Sequence, residues 1–136
     1  MKQVLLLFTF VAALSCSKSE TDPIASGLEG TWRLTNYCKP TGSSTCVPVT
    51  VPSDKGVFIR FDQTGQFDES YQNTKPIEYS FLGCGGGSFT VEGDSLRIRA
   101  VCMSSLSGRL VKVVSLTNSQ LILNPFGTGE YVFNRR

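Results

Sequence analysis

The chain has 136 residues, 13 Lys and Arg against 11 Asp and Glu, a formal charge of +2, and no histidine. Apart from the pair Arg135-Arg136 the arginines are scattered, so neither a nucleic-acid groove nor a polybasic membrane patch is indicated. Without histidine, every Ser-His and Cys-His nucleophile arrangement is excluded.

The first predicted element is a leader. Met1-Lys2 supplies a positive start, Val4 to Leu14 is an apolar run broken only by Thr9, and Ala13-Leu14-Ser15 places small residues before Cys16. That order defines a signal peptide, too short to span a bilayer, which takes about 20 apolar residues.

Charge, apolar core, small residues and cysteine together resemble the lipobox of bacterial lipoproteins, although Ala13 stands where that family prefers leucine. The resemblance implies that residues 1–15 are removed and that Cys16 is the lipid attachment site, carrying a diacylglyceryl thioether and an amide-linked acyl chain such as palmitate. Two or more chains anchor a protein stably. The implied partner is a membrane of the bacterial cell envelope, the outer membrane, reached through the N-terminal lipid. Residues 16–27 then form the lipidated N-terminus and a polar tether containing Pro23.

One domain follows, over 28–136. Short runs alternating apolar with polar residues, separated by Gly, Pro, Asn and Asp, predict strands near 31–37, 57–62, 66–71, 77–82, 88–92, 95–102, 109–116, 120–124 and 130–134. The sequences around Gly65, Gly93-Asp94 and Asn118-Ser119 read as hairpin turns. The predicted fold class is all-β: a single small antiparallel up-and-down β-barrel of about eight strands, with a β-sandwich as the main rival.

Gly30-Thr31-Trp32, entering the first strand, resembles the opening of lipocalins and of the lipocalin-like domains of bacterial lipoproteins. Phe61 to Phe67 (Phe-x-x-x-Gly-x-Phe), the meander and a last strand ending in Arg135-Arg136 agree with it. The resemblance implies a barrel base in which Gly30, Trp32 and Arg135 are structural, with Arg135 packed over the indole. It also implies an apolar interior for a small hydrophobic ligand, lined by Leu34, Ile59, Phe61, Phe67, Tyr79, Phe81, Phe89, Leu96, Ile98 and Leu123, under a lid formed by the loop Lys39 to Asp54. These aromatics equally suit a filled core. The alternative function is therefore an envelope protein-interaction or inhibitory module with no cavity, and the segment 81–102 is partially similar to the META domain of envelope proteins.

With Cys16 assigned to lipid, Cys38, Cys46, Cys84 and Cys102 remain, and export favours disulfides in one of three connectivities. A two-residue loop at Gly93-Asp94 sets Leu96 opposite Val91 and Ile98 opposite Phe89, and leaves Cys102 one residue out of register with Cys84. A bulge in Gly85-Gly86-Gly87 is expected to correct that, giving Cys84–Cys102 and leaving Cys38–Cys46. The cysteine spacings lack the paired Cys-x-x-Cys of zinc sites, so no metal is expected, and no cofactor. Asp68, Glu69, Glu92 and Asp94 read as solvated charge. Adjacent strand residues face opposite ways, so Asp68 and Glu69 do not converge on one bond, and no enzyme activity is expected.

Overall fold

The computed structural model describes residues 23–42 and 45–136. The anchor residue Cys16 and the leader lie outside them. A short helix, α1 (Pro23–Leu28), precedes nine strands: β1 (Gly30–Pro40), β2 (Cys46–Thr50), β3 (Gly56–Phe61), β4 (Gln66–Gln72), β5 (Gly86–Glu92), β6 (Ser95–Ala100), β7 (Arg109–Leu116), β8 (Gln120–Asn124) and β9 (Tyr131–Arg135). All pair antiparallel. The ladder runs β1-β3-β4-β5-β6-β7-β8-β9 and returns through β1–β9, closing an eight-stranded barrel, while β2 pairs only with the far half of β1. Closure removes the free edges of the eight barrel strands, leaving β2 as the outer strand. No helix among the described residues is long and apolar enough to cross a membrane.

Strand period 2 sends alternate residues inward. In β1, Trp32 and Leu34 are buried; in β6, Leu96 and Ile98; in β8, Leu121 and Leu123. The β5–β6 hairpin keeps the predicted register, Val91 opposite Leu96 and Phe89 opposite Ile98.

Three expectations need correction. The register is unbroken as far as Gly87 opposite Ala100, and the strand predicted to reach residue 102 ends at Ala100. The Cys84–Cys102 bridge therefore needs no bulge inside the ladder. It joins the two chains just beyond the ladder's end, where Gly85 takes φ +76° and turns Cys84 toward Cys102, Cα–Cα 5.4 Å. Second, the predicted lid loop contains β2, folded back on β1 with Cys38 opposite Pro48 and clipped by Cys38–Cys46, Cα–Cα 5.3 Å. Third, residues 77–82 form no strand, and Asn73 to Gly85 is a loop of turns. The N–H groups of Glu78 and Tyr79 donate to the Lys75 carbonyl, and those of Phe81, Leu82 and Gly83 go to a side chain instead of a ladder.

Candidate functional site

The two ends of the barrel are built differently. At one end lie α1, the start of β1, the 62–65, 93–94 and 117–119 turns, and the end of β9. Trp32 is fully buried and its Nε1 donates to the Leu28 carbonyl at 2.7 Å. Arg135, its cross-strand neighbour, lays its guanidinium carbon 4.2 Å from the Trp32 ring centroid. The guanidinium also donates to the carbonyls of Gly27, Glu29 and Asn118, each at 2.7 Å. Gly30 sits at φ +122°, a backbone conformation that favours glycine, and a Cβ there would stand 2.8 Å from Arg135 Nη1 and displace the guanidinium. This end is a sealed base.

The opposite end, the mouth, is ringed by residues 51–55, 73–85, 101–108 and 125–130, with β2 alongside. Phe81 descends from the 73–85 loop into the barrel, 3% exposed, and meets Tyr131 and Phe133 edge-on at 5.6 and 5.5 Å. Tyr131 stacks on Tyr37 at 4.9 Å and touches Phe126 at 5.9 Å. Burial, helped by Tyr37 and then Glu69, pushes the Tyr131 hydroxyl up to about 12. Burial also raises Tyr37, and burial plus a hydrogen bond to Glu69 raises Tyr71.

Glu69 holds this plug in place and is not solvated, contrary to expectation: it is 4% exposed, on the inward face it shares with Phe67. Its carboxylate accepts from the N–H of Phe81, Leu82 and Gly83 at 2.7, 3.1 and 2.9 Å, and from the Tyr71 hydroxyl at 2.7 Å. Four donors compensate its desolvation. Asp68, on the other face, is exposed, and Glu92 pairs with Arg97 at 2.6 Å.

The ten residues expected to line a ligand chamber occupy the core. Leu34, Ile59, Phe61, Phe67, Phe81, Phe89, Leu96, Ile98 and Leu123 are buried, Tyr79 packs against them half-buried, and the Phe61 and Phe89 rings meet at 5.1 Å. They pack against one another along the barrel axis.

Space opens at the surface instead, beside α1 at the base, about 350 Å³, and at the rim. A cleft of about 380 Å³ lies beside the Cys84–Cys102 bridge, lined by Leu82, Met103, Ser104, Ser105, Arg109 and Phe126 among others. Arg109 begins β7 on the same side as buried Val111 and Val113, so it starts on the inward face. Its guanidinium carbon lies 4.7 Å over the Phe126 ring, and among the described residues it forms no ion pair with a carboxylate. Sequence reading did not single out Arg109, Met103 or Phe126. The parity of Arg109 with Val111 and Val113 was the available signal; the approach of the 101–108 and 125–130 loops had none.

A family model described as the lipocalin-like domain matches residues 28–123. The chain belongs to the lipocalin-like domain family. A lipocalin-like protein of Bacteroides uniformis shares the fold at TM-score 0.55 and 20% identity, over 81% of this chain and 99% of that one. An uncharacterized protein of Bacteroides eggerthii aligns at TM-score 0.43 and 17% identity, over 80% and 99%. No curated protein matches. This lipocalin-like barrel is of a type used typically for binding rather than catalysis.

Proposed function

We propose that this lipocalin-like protein is anchored to the bacterial envelope by lipid on Cys16 and holds a small apolar ligand in the rim cleft, not along the barrel axis. The observation that carries the binding reading is the cleft itself, about 380 Å³, with Leu82, Met103 and Phe126 on its walls. Such a volume falls in the range of small-molecule sites, roughly 300–1,000 Å³. The anchor reading rests on the sequence Val4 to Cys16.

The alternative, a filled-barrel module that binds another envelope protein, draws support from Ile77 and Leu106, 87% and 99% exposed at the mouth loops. One set of measurements tests the carrier reading and the anchor. The full chain should take up an apolar fluorescent probe saturably, and Phe126→Ser should weaken that binding severalfold. Expressed in a lipoprotein-competent bacterium, Cys16→Ser should move the protein from the detergent to the aqueous phase. Unsaturable, Phe126-independent uptake removes the carrier reading, and identical partitioning of the two chains removes the anchor.

A further inference from the structure

Resting on the rim cleft as the binding position, we infer that its ligand is a free single-chain amphiphile with an anionic head, and that Arg109 is the residue that selects the head. The cleft has two unlike halves. Leu82, Met103, the Cys84–Cys102 bridge and the Phe126 ring present a soft apolar wall, and a methionine adapts to chains of differing shape. Arg109, Ser104 and Ser105 present the polar half, where Ser105 is already turned toward the Ser107 hydroxyl at 2.8 Å.

The charge on Arg109 is the decisive feature. The described ion pairs join Lys55 to Glu78, Arg60 to Asp68, Arg97 to Glu92 and Lys112 to Asp94, and none uses Arg109. The Arg135 guanidinium spends its donors on three backbone carbonyls and that of Arg33 on two. Arg109 differs from these two: its guanidinium stacks on the face of Phe126, as that of Arg136 does on Phe58, and of Arg109 and Arg136 it is Arg109 that stands on the wall of the rim cleft, its N–H edges left for an acceptor. A planar fork of donors matches a carboxylate in two parallel hydrogen bonds. A neutral head of the same size would leave that match unmade.

Two probes of equal chain length separate the cases, laurate and dodecanol, titrated below micelle formation into the full chain carrying Cys16→Ser and kept free of detergent. The methyl resonance of Met103 is the reporter. The chain has two methionines, Met1 and Met103, so Met103→Leu assigns the signal. Laurate should bind roughly tenfold to a hundredfold more tightly than dodecanol, the range expected of a hydrogen-bonded charge, and should move the Met103 methyl. Arg109→Gln should erase the preference with at most a small drop in melting temperature, since Arg109 is exposed and loses only its stacking on Phe126, and Arg109→Lys should restore part of the preference. Equal affinity for both probes in both chains would overturn the anionic assignment while leaving a rim site for apolar ligands. Absence of any Met103 shift with either probe would overturn the rim site itself.

Discussion

At the scale of single residues, Trp32 and Arg135 divide the work at the base unequally. The indole is fully buried, so Trp32→Ala removes a large core side chain and should cost roughly 3–5 kcal/mol. Arg135 is mostly exposed and contributes through its stacking, about 0.5–1 kcal/mol for such a site, and through bonds to three carbonyls that tie α1 and the 117–119 turn to the barrel end. Arg135→Ala should therefore lower stability far less than Trp32→Ala, yet make the indole more accessible to a soluble quencher. Trp32 is the sole tryptophan, so its emission reports the site alone. An unchanged quenching constant in Arg135→Ala would mean that the guanidinium does not shield the ring.

Among elements, the 73–85 loop shows how one side chain replaces a strand's hydrogen bonds. The apolar alternation of Tyr79 and Phe81 is genuine and both point toward the core, but the backbone between Phe81 and Gly83 is satisfied by the Glu69 carboxylate. A carboxylate that collects three successive N–H groups competes successfully with a ladder. Glu69→Gln keeps the shape but turns an amide NH₂ toward donors, and each buried group so left without a partner costs roughly 1–3 kcal/mol. Hydrogen exchange should then show faster exchange at Phe81, Leu82 and Gly83 while the β5–β6 ladder stays protected. Uniform loss of protection would show that the loop and barrel unfold as one unit.

Across the whole molecule, burial at the mouth gathers Tyr37, Tyr71 and Tyr131, all with hydroxyls harder to ionise than in the unfolded chain. A raised folded value means that the neutral form is favoured in the native state, so this stability is fully present below the unfolded value and is lost as pH rises toward the folded one. For Tyr131 the window opens near the unfolded value of about 10 and closes at about 12. Denaturant midpoints should be flat from neutral pH up to the window and fall within it, and Tyr131→Phe should make the fall shallower. An identical alkaline profile in the variant would remove Tyr131 as a source.

What the sequence made legible at this scale was whatever depends on local period and turn chemistry: the barrel class, the Gly93-Asp94 register, the inward face of Leu96 and Ile98. What it hid depends on chain segments meeting across space. The tethered run Lys39 to Asp54 shows turn composition but gains a strand from pairing with β1, and Glu69 shows its burial only when its parity with Phe67 outweighs its charge. The disulfide partners were legible because four cysteines and one hairpin register leave little freedom, whereas the rim cleft draws its lining from three loops.

The docking of α1 at the sealed base gives the molecule a direction. Ile24 packs against the core from that end, and α1 lies beside Leu116 and Thr117. Six residues lie between Cys16 and Pro23, so the two Cα atoms are at most about 25 Å apart when that stretch is fully extended. With the proposed lipid in place, the anchored segment joins the barrel at its sealed end, and the rim cleft lies at the opposite end. On that proposal, a cargo taken up there would be captured from solution or passed from another carrier rather than drawn from the host bilayer.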